Sequence, residues 1–246
     1  MLSLLKAEFH KLKTSKIFWL MVLAGVAQGI AGPILSYILR TKSGEDMLLF
    51  SIQIQQFLVY MPILAIFAYF ISSEFHTGSI KNLVTYGHRR RNIIIAKSIA
   101  FYVGTVIISF AFPLVITLIN TVINGYGRSF DLQALLLILR VTFLMTLIYI
   151  SMASIIVMLC FLTKNAVAPS VIFYLFDTVC RVGQALSMKN NTVKAIYGKT
   201  VFYQLNTATL RNINFSQGLE VVAICLITIT LSTIIAMAAF NKAELK

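Results

Sequence analysis

The sequence predicts an all-α integral membrane protein with six transmembrane helices, an amphipathic interfacial helix before them, and a re-entrant outer segment between the fifth and sixth spans. Three observations lead there. The 246-residue chain is 59% hydrophobic and 12% charged, against about half apolar and one quarter charged in soluble domains. Apolar runs of span length recur along it, and a membrane helix needs about 20 such residues. Between the runs, polar segments alternate in basic content, as expected where positive charge marks the cytoplasmic face.

Before the first run, residues 1–16 carry Leu2, Leu5, Phe9 and Leu12 at helical spacing, with Lys6, Lys11 and Lys13 beside or opposite them. This pattern predicts a helix lying along the inner face of the membrane. The six expected spans are Ile17–Leu39, Met47–Ser72, Asn92–Asn124, Leu132–Leu162, Asn165–Leu186 and Leu219–Phe240. The first reads as an anchor, because no small-x-small cleavage site follows it. In the first span, Gly25 and Gly29 form a GxxxG, a candidate for close helix packing or a dimer face.

Orientation follows from Lys and Arg. With both termini in the cytoplasm, the inner segments and adjoining span ends carry Lys6, Lys11, Lys13, Lys16, Lys81, Arg89, Arg90, Arg91, Lys97, Lys164, Lys242 and Lys246. The outer ones carry Arg40, Lys42, Arg128, Lys189, Lys194, Lys199 and Arg211. The net charge of +13 is therefore assigned to orientation and anionic lipid rather than nucleic acid. The expected location is a cell membrane, of the bacterial plasma type, with multiple passes.

Residues 73–91 interrupt the apolar pattern. Glu74 precedes Thr77-Gly78-Ser79, and Ile80, Leu83 and Val84 then fall on one side of a short helix bracketed by Gly78 and Gly87. Arg89, Arg90 and Arg91 come next, at the expected headgroup level. The whole resembles the permease subunits of type-two ABC transporters, which have an acidic residue, a Thr-Gly-Ser/Thr turn, a short helix, a basic residue and an apolar run with a lysine, here Lys97. The Gly87-His88 pair departs from that pattern, where many members have a proline.

The resemblance covers essentially the whole chain and carries implications. It implies that 73–91 is a coupling segment docking on a separate ABC ATPase, which would bind ATP and Mg. It implies a permease dimer, with a homodimer expected and a heterodimer as the alternative. It implies an exporter, with amphipathic or antimicrobial-type peptides as cargo; lipid, glycan or drug export is the alternative, and an ion-driven secondary transporter a more distant one. Independently, the chain lacks GxxxxGK[ST]: Gly198-Lys199-Thr200 imitates its tail, but position 193 is valine. No catalysis and no cofactor is expected within the chain. His10, His76 and His88 have no metal-ligand spacing, and Cys160, Cys180 and Cys225 form no CxxC.

Charges within spans are costly and informative. Arg140, Asp177 and Arg181 fall in the fourth and fifth spans. At about 1.5 Å per residue, Arg140 and Asp177 lie roughly 12–13 Å from the outer ends of those spans. Gln28, Gln53 and Gln56 reach similar levels. The group reads either as a polar translocation route or as a structural ion pair between spans four and five. The outer segment, 187–218, is expected to contain one or two short helices.

Overall fold

The computed structural model describes residues 1–32, 43–55, 64, 66–127, 130–187 and 189–242. Among these, regular structure is helical and no strand occurs. The elements are α1 (Leu2–Thr14), α2 (Lys16–Ile30), α3 (Gly44–Gln55), α4 (Tyr69–His76), α5 (Ser79–Thr85), α6 (Arg90–Asn124), α7 (Leu132–Thr163), α8 (Ala168–Ser187), α9 (Asn191–Tyr197), α10 (Val201–Ala208) and α11 (Phe215–Asn241). Three of them, α6, α7 and α11, are long and apolar enough to cross a membrane. At 35 residues, α6 runs roughly 52 Å, well beyond a hydrocarbon core of about 30 Å. The C-terminal end of the first expected span and the middle of the second, with Gln56, lie outside the described residues.

Helix ends follow local chemistry. Ser15 separates α1 from α2, and its Oγ accepts from Phe18 N at 3.3 Å. Asp131 caps α7 by accepting from Ala134 N at 2.9 Å. The α8 start moves from Asn165 to Ala168, because Asn165 Oδ1 accepts from Val167 N at 2.9 Å and acts before the helix. The last helix begins at Phe215, not Leu219, because Asn214 and Gln217 make a capping box. Asn-x-x-Gln was a readable signal for this earlier start.

Two long helices, α6 and α7, form the middle of the array. On α6 pack α1, α2 and α3; on α7 pack α11, α8 and α10; and α6 and α7 also meet each other. The α2–α6 seam explains the GxxxG. A Cβ on Gly25 would lie 3.0 Å from Ala111 Cβ, and one on Gly29 2.6 Å from Val115 Cβ. The small residues thus admit α6 of the same chain.

The N-terminal helix differs from expectation in its register. Its buried residues are Leu4, Glu8 and Leu12, with Leu5 and Phe9 packed partly against the core, while Leu2 is 83% exposed. The stripe is rotated toward Glu8, so α1 seats a carboxylate against the protein.

Gly29→Ala is expected to cost about 1–3 kcal/mol from overpacking, read as a lower melting temperature of the detergent-solubilised chain. Gly218→Ala is the control. It is helical with nothing within 4 Å of the added Cβ, so the melting temperature should hold or rise, by the equivalent of about 0.4–1 kcal/mol.

Candidate functional site

Residues 73–91, expected as the coupling segment, have the shape of a hook. Its first arm is α4; Gly78, at φ +73°, turns the chain; α5 is the tip. Thr77 and Ser79 hydroxyls meet at 2.9 Å across the turn. At the far end of α5, Gly87 sits at φ +82°. Its N–H donates to Val84 O at 3.0 Å, and His88 N donates to Leu83 O at 3.3 Å. This pair of bonds is a Schellman cap. Gly87 therefore ends α5 through a left-handed residue where a proline would end it by lacking a donor.

The faces of α5 differ. Ile80 is 1% exposed and belongs to the main core. Leu83 and Val84 pack partly against that core. The outward surface is Ser79, Lys81, Asn82, Thr85 and Tyr86, the last 81% exposed. The apolar side of this short helix thus anchors the hook, and its polar side faces out.

Beneath the hook lies a four-charge cluster. Glu74 Oε1 pairs with Lys11 Nζ from α1, and Glu74 Oε2 with Lys97 Nζ from α6. Lys97 Nζ also donates to Glu8 Oε1 at 2.5 Å. Lys11 Nζ donates further to Phe70 O at 2.7 Å and lies 4.2 Å from the Phe70 ring centroid. Glu8, Glu74 and Lys97 are all buried, Lys97 almost completely. Burial pushes the Glu74 carboxyl up, but Lys97 and Lys11 outweigh it and hold the carboxyl below its ordinary range. Glu74 and Lys97 belonged to the expected pattern; Glu8 and Lys11 did not. A buried Glu8 is hard to see in a sequence, because one acid on a short helix reads as solvated.

The arginines divide in role. Arg89 and Arg91 are exposed. Arg90 Nη1 donates to Phe240 O at 2.6 Å and Asn241 O at 2.8 Å, at the end of α11. These carbonyls stand at the C-terminal end of α11, where a cation adds hydrogen bonds and complements the helix dipole. Phe75 meets Phe161 at 5.3 Å, and Phe161 meets Phe240 at 5.2 Å, both edge to face. The hook is thereby joined to α1, α6, α7 and α11.

Among the described residues, the polar residues expected within spans have partners in separate places. Arg140 Nη2 donates to Leu210 O at 2.5 Å and Arg211 O at 3.0 Å. Gln53 Nε2 donates to Thr209 Oγ1 at 3.0 Å. Both thus meet the segment after α10. Arg211 in turn pairs with Asp46, and its Nε lies 3.7 Å from Glu45 Oε1. Asp177 pairs with Arg181 Nε at 2.8 Å, four residues on along α8. That pair lies within one helix. Gln28 Oε1 is buried with no hydrogen-bond partner among the described residues. No cluster of three His, Cys, Asp or Glu residues fit for a metal occurs among the described residues.

Two measurements follow from the charge cluster. Lys97→Met leaves Glu74 with Lys11 but strands the buried Glu8 carboxylate, and should cost about 3–5 kcal/mol. Adding Glu8→Gln removes the stranded carboxylate and should recover part of that loss in thermal unfolding. Because the folded Glu74 pKa is depressed, its stabilisation is complete above the ordinary carboxylate value of about 4.3 and is lost as pH falls through the lower folded value. Melting temperature should therefore fall in acid, and less steeply in Glu74→Gln.

The family model described as ABC-2 family transporter protein matches residues 4–180. That stretch contains α1 from Leu4 on, the charge cluster, the hook, and the chain as far as Cys180 in α8. No curated protein matches the chain. The match and the long apolar helices make this a membrane transporter subunit, and the family implies a partnering ABC ATPase subunit. The chain belongs to the ABC-2 transporter family, as a permease subunit.

Proposed function

We propose that this chain is the permease of an ATP-driven exporter, that 73–91 is the segment on which a separate ATPase docks, and that ATP and Mg are bound and ATP hydrolysed in that partner. The observation that carries this reading is the hook: α5 is fixed on its apolar side by Ile80 and at its base by Glu74, yet its other side is free. Such an element passes a push from outside into α1, α6, α7 and α11 together. The polar surface of α5 calls for a polar, hydrogen-bonding groove on the ATPase.

The remaining parts of the reading fit around it. The chain crosses the membrane six times, as its apolar runs predict. Both termini and the hook then face the cytoplasm of a bacterial-type plasma membrane. Two permease copies meet through the apolar faces of α2 and α8, where Leu20, Leu23, Leu175 and Val179 are exposed. Cargo passes between the copies. Amphipathic peptides suit a route of this apolar character better than small ions do.

Tyr86→Ala with Lys81→Glu should weaken ATPase docking by about 1–2 kcal/mol, a factor of roughly 5–30, while the permease melting temperature stays unchanged. The readouts are copurification of the ATPase and ATP turnover in membranes. Ile80→Asp should instead destabilise the permease itself. Full docking and export by the Tyr86 and Lys81 variant would show that the exposed side of α5 is not the docking surface. Cysteines placed at Ser79 and Asn191 should label from opposite sides of the membrane, the former from the cytoplasm.

A further inference from the structure

Residues 209–214 link α10 to α11 and form a strap at the end of the array opposite the hook. The strap bridges two groups of helices. On one side α3 packs on α6. The first turn of α3 is fastened to the C-terminal end of α6, where Gly44 N donates to Gly125 O and Glu45 N to Tyr126 O, both at 3.1 Å. On the other side α10 and α11 pack on α7. A cavity of about 370 Å³ lies where the groups meet, lined by Ser43, Glu45 and Asp46 on the α3 side, by Leu137 of α7, and by Arg211 and Asn212 of the strap.

The two sides hold the strap differently. Toward α7 the grip is on its backbone: Arg140 Nη2 donates to Leu210 O at 2.5 Å and to Arg211 O at 3.0 Å. Charge-assisted bonds of this kind are the strong ones. Toward α3 the ties run between side chains. Arg211 pairs with Asp46, and its Nε lies 3.7 Å from Glu45 Oε1. Gln53 Nε2 donates to Thr209 Oγ1 at 3.0 Å. The Arg211 and Asp46 side chains are 58% and 42% exposed, so their pair is screened and easily exchanged for water. The Thr209 hydroxyl also donates to Leu205 O at 3.2 Å and Asn206 O at 3.1 Å. It therefore stays satisfied within α10 when Gln53 lets go. Glu45, whose side chain is only 7% exposed, leaves a fixed negative seat on α3.

We propose that Arg211 is the bolt of a latch. Seated on Glu45 and Asp46, it closes the cavity and ties the α6 group to the α7 group. Withdrawn into water, it lets the strap part from α3, while Arg140 keeps the strap on α7. The direction of opening follows from the unequal ties: the side-chain ties to α3 break, and the backbone grip of α7 holds. The cavity widens along that line, and Glu45 waits to reseat the guanidinium. The latch depends neither on how the ATPase docks nor on which cargo is carried.

The test uses the full-length chain in nanodiscs, with the buried Cys160, Cys180 and Cys225 changed to alanine and spin labels on introduced cysteine pairs. Val122→Cys with Asn212→Cys reads the strap against the end of α6. Gln133→Cys with Asn212→Cys reads it against the start of α7. All three positions are exposed. Arg211→Gln should shift the first distance distribution to longer values and leave the second in place. Raising salt from about 0.1 M to about 1 M cuts the screening length from roughly 10 Å to 3 Å. It should shift the first pair of the parent the same way, reversibly on dilution, and add nothing in Arg211→Gln. The salt arm needs no substitution in the latch, so it decides the question even where a variant folds poorly. A first distribution that stays in place in Arg211→Gln or in high salt, or a second that lengthens along with it, overturns the proposal.

Discussion

A carboxylate taken out of water must find a cation or give up its charge, since leaving it alone costs several kcal/mol. Glu74 stands where this constraint bears hardest, at the junction of the apolar helices and the polar hook. Its two oxygens are held by lysines from two other helices, and one of those lysines must then also satisfy Glu8. The orientation of the hook, the seating of α1 and the inner end of α6 are thus one problem with one joint solution. Ile80 and the Phe75–Phe161–Phe240 series extend the junction into apolar packing, and Arg90 extends it to the end of α11.

The opposite end of the array is tied differently. There Arg140 and Gln53 reach the segment after α10, and Arg211 spans from that segment to Asp46 at the start of α3. These groups are more exposed than the inner cluster, and several bonds end on backbone carbonyls. Exposed pairs contribute little each and exchange partners easily. The hook end is consequently the stiff one, joined by buried charges, and the opposite end the more easily rearranged. Under the export proposed above, that asymmetry is the useful one.

Much of the hook was legible from sequence because its chemistry is local. Glycines at 78 and 87 set the ends of α5, and the acid at 74 and lysine at 97 stood out against apolar neighbours. The long helices were legible for the same reason, as uninterrupted apolar runs. What failed to show was any partnership closed by distant chain. Glu8 looked like one polar residue on an amphipathic helix until α6 supplied Lys97. Arg140 seemed matched to Asp177 by depth, but its partners are carbonyls of Leu210 and Arg211, which have no side-chain signature. Ile80 and Leu83 shared the correct face, yet sequence could not say whether that face turned toward the protein or away from it.

The charge cluster holds the hook and α1 as one body. Spin labels at Lys13 and Asn82, both exposed, report on it through their distance distribution in the full-length chain. A single narrow distribution is expected in the parent, broadening when Glu74→Gln removes the central carboxylate. A distribution of unchanged position and width in Glu74→Gln would contradict the claim, because the two elements would then be held together without the charges.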